Sequence, residues 1–247
     1  MRLVRVGAAL VGAAAVVLGI TMATGGASAD QSPDKGTITP KIIDGRLADN
    51  APWAARLFVD GQENCSATII APTWILTAQH CVASQGTYTF HIGSLDQTQG
   101  ESATGVNIQT NPSADLALVE LDHAVTATYS PLGNADAVAV GQTVQVYGWG
   151  ATCTDRPEIE CQSQMLKVAD VGVTDTACSD YMGGLAVCAN RGDGITAGGD
   201  SGGPMFATAP DGSYVQVGVA STSDRQTFTA YGNLTQYRDW IAGIAGV

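Results

Sequence analysis

The feature that most limits how this chain can fold is a long succession of short apolar or alternating segments between residues 42 and 233. Alternation of apolar and polar residues over a few positions is typical of β-strands, and Gly, Pro, Asn and Asp clusters separate these segments. The segments are Ala54–Val59, Ala67–Ile70, Thr87–Ile92, Ala117–Leu121, Val144–Tyr147, Met165–Val173 and Val215–Ala220. Many short strands within about 200 residues predict an all-β fold, either barrels or a sandwich.

Only the C-terminal segment has a helical period. Leu234, Tyr237, Ile241 and Ile244 follow one another at spacings of three or four residues. This periodicity predicts an amphipathic α-helix over Thr235–Ala245.

The N-terminal segment is typical of an export signal. Two early arginines precede an apolar run over residues 6–22, and Ala27-Ser28-Ala29 follows as an A-x-A cleavage site. The pattern predicts a signal peptide over residues 1–29; a membrane anchor is the alternative, because the apolar run is nearly long enough to span a bilayer. The polar, Pro-containing residues 30–41 are interpreted as a linker or pro-segment before a domain over 42–247.

Composition argues against two other classes of protein. Six cysteines in an exported chain indicate three disulfides, for which fifteen pairings are possible. Zinc ligation is disfavoured because the sequence has no C-x-x-C motif or matching histidine cluster. The chain has 11 Lys and Arg against 23 Asp and Glu, a net charge of −12, whereas nucleic-acid binding needs a basic surface.

Three separated motifs contain the residue types of a nucleophilic catalytic triad. They are Thr77-Ala78-Gln79-His80-Cys81, Ser113-Ala114-Asp115-Leu116-Ala117-Leu118 and Gly198-Gly199-Asp200-Ser201-Gly202-Gly203-Pro204. The chain order His, Asp, Ser is one of the known orders for such a triad. With these motifs the chain resembles the trypsin/chymotrypsin family of serine proteases, from about Ile42 to the C-terminus.

The resemblance implies a chymotrypsin-like fold of two six-stranded Greek-key β-barrels, over about 42–132 and 133–247, with a C-terminal α-helix. It also implies a secreted, extracellular serine endopeptidase that acts as a monomer on protein or peptide substrates. No cofactor, metal ion or stable membrane association is expected, and the calcium loop of the family is not evident in residues 93–101. An exported esterase or narrow-specificity hydrolase on the same fold, and a non-catalytic relative of the proteases, are the alternatives.

The catalytic roles follow from the same resemblance. Ser201 is the expected nucleophile, and His80 is the base that takes its proton and later returns it to the leaving group. Asp115 is expected to fix the tautomer of His80 and to stabilise its charged form. The backbone N–H groups of Gly199 and Ser201 are expected to form the oxyanion hole. Gln79 departs from the family, which usually has a small alanine there.

Activation and disulfide pairing are likewise implied by the resemblance. Cleavage after Lys41 by an activating protease would free the amine of Ile42, which in the family enters the protein and pairs with the aspartate before the nucleophile, here Asp200. A buried carboxylate needs such a partner, because an unpaired buried charge is costly. The implied disulfides are Cys65–Cys81, Cys178–Cys188 and Cys153–Cys161.

The specificity pocket is where the sequence departs from the family most. The candidate substrate-binding residues are Ile195, Thr196, Ser221, Thr222 and Ser223. Counting back from Ser201 without a gap places Ile195 at the pocket floor and predicts a shallow, apolar pocket; a shifted loop would bring Asp193 there instead. Thr222 stands where the family usually has a tryptophan, and this loss of an aromatic wall predicts altered or narrowed specificity.

Overall fold

The computed structural model describes residues 42–247, so the predicted signal peptide and pro-segment lie outside the described residues. Thirteen strands and one α-helix form within that range. The elements are β1 (Arg46–Leu47), β2 (Ala54–Val59), β3 (Gln62–Ala71), β4 (Trp74–Thr77), β5 (Tyr88–Ile92), β6 (Glu101–Thr110), β7 (Ala117–Leu121), β8 (Thr143–Gly148), β9 (Lys167–Ser179), β10 (Leu185–Arg191), β11 (Pro204–Thr208), β12 (Tyr214–Ser223), β13 (Phe228–Asn233) and α1 (Arg238–Ala245).

The first six long strands form a closed antiparallel barrel in the order β2-β3-β4-β7-β6-β5. Alternate residues point into it, and fully buried side chains such as Leu57, Ile69, Ile75 and Phe90 fill its interior. Burying each such side chain stabilises the fold by about 1.5–3 kcal/mol. This barrel therefore has an apolar core of its own.

The second barrel also has six strands, in the order β9-β10-β13-β12-β11-β8, and the pairing of β8 with β9 closes it. The predicted two-barrel, all-β architecture is confirmed. One expected boundary differs, because β1 pairs with β9 of the second barrel. Ile42 is fully buried in the second apolar core with Val146 and Met205, so the segment expected to begin the first barrel belongs to the second.

The C-terminal helix begins at Arg238, later in the sequence than predicted, and packs against the first barrel. A 3₁₀ turn over Leu234–Gln236 precedes α1. Leu234 and Ile241 are fully buried in the core of the first barrel, and Gly246, whose φ of 76° is left-handed, caps the C-terminus of α1. Within residues 42–247 no helix is long and apolar enough to cross a membrane.

All six cysteines form disulfides, and the three pairs are those implied by the resemblance: Cys65–Cys81, Cys153–Cys161 and Cys178–Cys188. The paired cysteines are 16, 8 and 10 positions apart in the sequence. Such short closures restrict the unfolded chain locally and hold individual loops on their barrels.

Candidate active site

His80 lies in a 3₁₀ turn, Gln79–Val82, that directly follows β4. The disulfide from Cys81 to Cys65 on β3 ties this turn to the first barrel. The side-chain amide of Gln79 faces the carbonyl oxygens of Asn111 and Ala114 at 3.0 and 3.2 Å. Gln79 therefore bridges the histidine turn to the loop before Asp115, and this contact explains how the larger side chain is accommodated.

Asp115 is fully buried and oriented by three donors. Its Oδ1 accepts the backbone N–H of His80 at 3.0 Å, and its Oδ2 lies 2.7 Å from His80 Nδ1 and accepts Ser221 Oγ–H at 2.6 Å. Burial alone would raise the pKa of Asp115, but the bonds from His80 and Ser221 outweigh it, and the pKa is lowered. The carboxylate is thus kept ionised beside the imidazole.

Asp180 holds the backbone of Asp115 by a hydrogen bond, a role that the sequence did not predict. Its Oδ2 accepts the backbone N–H of Asp115 at 2.8 Å, and its Oδ1 accepts the N–H groups of Met182 and Gly184. Asp180 follows β9 and comes from the second barrel, so this bond joins the two barrels at the site. Its local sequence carries no motif that marks the role.

Ser201 lies in the tight turn between Gly199 and β11. Gly199 has a φ of 96°, which favours glycine. The carbonyl of Ser201 accepts the N–H of Ser66 at 2.8 Å, and the N–H of Gly202 binds the carbonyl of Ala220 at 2.8 Å. Bonds to both barrels therefore fix the backbone that carries the candidate nucleophile.

Asp200, directly before the nucleophile, is fully buried. Its two oxygens accept the N–H groups of Gly150 at 2.7 Å and Ala197 at 2.9 Å. Burial raises its pKa to about 6. A Cβ at Gly148 or Gly150 would come within 2.1 and 2.4 Å of this carboxyl group, so only glycine permits such close approach.

His80 and Ser201 line one cavity of about 310 Å³. The remaining lining residues are Tyr181, Thr196, Ala197, Gly198, Ala220, Ser221, Thr222, Ser223, Arg225 and Thr229. Four of the five predicted substrate-binding residues are among them. Seven of the twelve lining residues carry a hydroxyl group.

Ile195 is the exception and corrects the predicted pocket floor. Its side chain is fully buried, packs with Ile43 and Ala197, and does not line the cavity, because its backbone pairs with that of Ile43. The alternative floor residue, Asp193, is exposed and forms an ion pair with Arg46 at 2.7 Å. Neither Ile195 nor Asp193 therefore lies at the floor of the cavity.

Thr196 and Thr229 lie at the buried end of the cavity instead. Their hydroxyl oxygens are 2.7 Å apart, and the two residues are 3% and 1% exposed. Thr229 comes from β13, far along the chain from the serine motif, so no local pattern identified it. Arg225 lines the cavity as well, with its guanidinium bound to both carboxylate oxygens of Glu158.

The other histidines and the possible metal ligands lie apart from this chemistry. His91 Nδ1 is bonded to the carbonyl of Gln97, and His123 is exposed beside Asp122. Among the described residues, one group has metal-ligand types close together: Cys65, His80 and Cys81. Its cysteines are bonded to each other and offer no thiolate.

Comparison with known proteins defines the class. The trypsin family model matches residues 42–241. Brachyurin of Leptuca pugilator is 30% identical over 217 residues, 79% of this chain and 94% of brachyurin. Human kallikrein-11 is 27% identical over 215 residues, 77% of this chain and 74% of kallikrein-11. A solved mutant of human heparin binding protein has a similar fold, with a TM-score of 0.70 and 24% identity over 83% of this chain and 97% of that one.

The two closed six-stranded β-barrels, with His80 and Ser201 lining one cavity, form a chymotrypsin-like fold. The family match covers most of the chain. The chain belongs to the trypsin family, and it is a serine endopeptidase that acts on protein substrates.

Proposed function

We propose that this chain is a secreted endopeptidase in which His80, Asp115 and Ser201 form the catalytic triad. The observation that carries the proposal is the pair of His80 Nδ1 and Asp115 Oδ2, 2.7 Å apart with the carboxylate fully buried. His80 also lines the same cavity as Ser201. His80 and Asp115 come from the first barrel and Ser201 comes from the second.

The pair with Asp115 assigns the tautomer of His80. An ionised carboxylate only accepts hydrogen bonds, so Nδ1 carries the proton and Nε2 is free to accept one. His80 Nε2 takes the Ser201 hydroxyl proton as Oγ bonds to the scissile carbonyl carbon, and passes it to the amine that leaves. Water then hydrolyses the acyl-enzyme by the reverse proton path.

The oxyanion of each tetrahedral intermediate is stabilised by the N–H groups of Gly199 and Ser201. The carbonyl of Asp200 accepts the N–H of Gly203 at 2.9 Å, which helps to fix the peptide group that includes the N–H of Ser201. A backbone donor held in this way needs no reorganisation as charge develops. Such donors contribute about 2.7–4 kcal/mol each.

The chain is exported with a cleaved signal peptide and activated by a second protease that cuts after Lys41. Support for this comes from Ile42, which is fully buried within the second barrel, and from Asp200, whose buried carboxylate has only neutral N–H donors within hydrogen-bonding distance among residues 42–247. A free amine at Ile42 supplies the cation that this carboxylate needs. The processed enzyme acts as a monomer without a metal ion.

Labelling by a fluorophosphonate probe tests the proposed function. The chain cleaved after Lys41 is expected to be labelled at Ser201, because only an activated serine attacks this probe rapidly. Ser201→Ala is expected to lose the label entirely, and Ser113→Ala, a serine outside the cavity, is the matched control. A cleaved wild-type chain that stays unlabelled refutes the triad. Faster turnover of esters than of matched peptides would favour the esterase alternative.

The base of the cavity predicts a preference for small side chains at the residue before the cleaved bond. Thr196 and Thr229 occupy the space that a deep pocket would leave open. Thr229→Gly is expected to raise the ratio of kcat/KM for a leucine substrate to kcat/KM for an alanine substrate by about tenfold or more. Each methylene that the enlarged pocket accommodates is worth about 1–3 kcal/mol.

A peptide-substrate library measures this change. Thr208→Gly, at the exposed end of β11, controls for the cost of glycine in a strand. An unchanged profile in Thr229→Gly would show that another residue limits the depth of the pocket.

A further inference from the structure

A fully buried arginine lies beneath the loop that carries the proposed oxyanion hole. Arg56 is in the middle of β2 and is 0% exposed. Its guanidinium donates from NH1 to the carbonyl of Gly199 at 3.0 Å and from NH2 to Gln162 Oε1 at 3.1 Å. Neither hydrogen-bond partner is a carboxylate, and burial lowers the pKa of Arg56 to about 10 although the charges of Glu63 and Asp200 partly oppose this shift. Burying a cation this way is costly, so its contacts indicate a specific role.

Gln162 connects Arg56 to the oxyanion loop. A guanidinium has only donors, so it fixes Gln162 with its oxygen toward Arg56 and its nitrogen on the other side. That nitrogen, Nε2, donates to the carbonyls of Gly198 and Glu158, both at 2.9 Å. A Cβ at Gly199 would lie 1.9 Å from Gln162 Oε1, so the amide packs directly against the glycine backbone.

These contacts fix the direction of the Gly199 N–H. In a planar trans peptide, the carbonyl of Gly198 and the N–H of Gly199 point in opposite directions. The carbonyl of Gly198 is held by the N–H of Ala151 at 2.8 Å and by Gln162. The N–H of Gly199 therefore points away from Gln162 and Ala151, neither of which lines the cavity that Gly198 and Ser201 line.

The next peptide is fixed from the first barrel. The carbonyl of Gly199 accepts Arg56 NH1 and also Ser66 Oγ–H at 2.9 Å. The hydroxyl of Ser66 in turn accepts the N–H of Trp149 at 3.2 Å. Two consecutive carbonyls of the loop are thus each held by two donors, and side chains supply three of those four donors.

We propose that Arg56 and Gln162 are positioning residues that hold the Gly199 N–H in place for the oxyanion. Arg56 orients the Gln162 amide, and the amide nitrogen holds the carbonyl of Gly198. This proposal depends on the proposed triad and oxyanion hole. It differs from a structural role, because it assigns the effect to the amide N–H of Gln162 and not to the packing of its side chain.

Two substitutions at Gln162 separate these roles. Gln162→Glu keeps an acceptor for Arg56 and adds an ion pair, but it places an acceptor against the carbonyl of Gly198 where a donor was. Gln162→Met keeps the length and loses every hydrogen bond. If the only role of Gln162 were to accept the hydrogen bond from Arg56, the Gln162→Glu variant would behave as the wild type. If it positions the peptide, both variants are defective.

The readout is the affinity for a peptidyl trifluoromethyl ketone, measured beside kcat and KM. Ser201 Oγ adds to the ketone carbon, its proton passes to His80, and the resulting oxyanion requires the Gly199 N–H. The corresponding peptidyl alcohol binds the same cleft without an oxyanion. Both Gln162 variants are expected to lose about 10–100-fold in kcat and in ketone affinity. Affinity for the alcohol and KM are expected to stay unchanged.

The controls keep the outcomes distinct. Gln164→Glu makes the same change at an exposed position nearby and is expected to match the wild type. Arg56→Met is expected to lose ketone affinity as well, and its melting temperature shows whether it folds. Wild-type ketone affinity in Gln162→Glu, or an equal loss for ketone and alcohol, overturns the positioning role. A processed wild-type chain that never reacts with the ketone overturns the triad itself.

Discussion

Asp115→Asn is expected to lower kcat by about 10⁴-fold at neutral pH while the protein stays folded, which is the cost of replacing the triad aspartate by asparagine in the trypsin family. The carboxylate oxygen 2.7 Å from His80 Nδ1 would be replaced by an amide nitrogen that donates. His80 would then carry its proton on Nε2 and could not accept one from Ser201. The bond from Ser221 to the same oxygen would also be lost.

Steady-state kinetics across pH and the rate of fluorophosphonate labelling check this prediction. Asp122→Asn is the matched control, because Asp122 also lies 2.8 Å from a histidine nitrogen, on His123, yet is exposed and outside the cavity. It is expected to leave kcat unchanged. A kcat in Asp115→Asn equal to that of the control would remove Asp115 from the mechanism.

Asp200→Asn is expected to have different effects before and after cleavage at Lys41. In the uncleaved chain the folded-state pKa of Asp200 is raised to about 6 from its usual 3.8, mainly by burial. The folded state therefore binds this proton more tightly than the unfolded state. Its stabilising contribution is complete below about pH 3.8 and is lost as pH rises through about 6, a decrease of about 3 kcal/mol in the free energy of unfolding.

Denaturant unfolding between pH 3.5 and 8, in about half-unit steps, measures this contribution in chains kept uncleaved by Lys41→Gln and inert by Ser201→Ala. The difference between chains with Asp200 and with Asp200→Asn isolates the group from all other acids. We expect that difference to change by about 3 kcal/mol over this range. A difference that stays constant with pH would contradict a raised pKa.

After cleavage, the same substitution is expected to reduce activity by at least about 10²-fold, because asparagine cannot pair with the ammonium of Ile42 and the oxyanion loop loses its anchor. Rates with a peptide substrate, after cleavage is verified by N-terminal sequencing, measure the effect. Asp211→Asn, an exposed acid bonded to Ser213, is the control. Full activity in the processed Asp200→Asn chain would contradict activation by a buried ion pair.

Two predicted strands coincide fully with observed ones, whereas β4, β10, β11 and β13 were not predicted although most of their residues are buried. Ala54–Val59 and Ala117–Leu121 coincide with β2 and β7, and each presents a nearly continuous buried set of side chains. β6, over Glu101–Thr110, was missed. Only Ala103 in it is buried, so its sequence has no apolar period to detect. Backbone pairing to β5 and β7 alone makes it a strand.

In the candidate site, residues within local motifs were predicted, and residues brought in by distant elements were not. The motifs around His80, Asp115 and Ser201 are local, so they could be found without knowing the fold. Thr229 and Asp180 could not, since each reaches the site from a distant strand or loop. Ile195 shows the converse error: counting along the chain placed it in the pocket, whereas its backbone pairing with Ile43 buries it elsewhere.

By itself the sequence determined the all-β class and the candidate triad, because strand periodicity and short motifs are encoded in neighbouring residues. The tertiary structure decided which barrel receives the Ile42 segment, what closes the cavity, and that Arg56 and Gln162 lie beneath Gly199. These features depend on contacts between residues far apart in the sequence: 143 positions separate Arg56 from Gly199, and 33 separate Thr196 from Thr229. Only the closure of two barrels brings such residues together, and no local pattern encodes it.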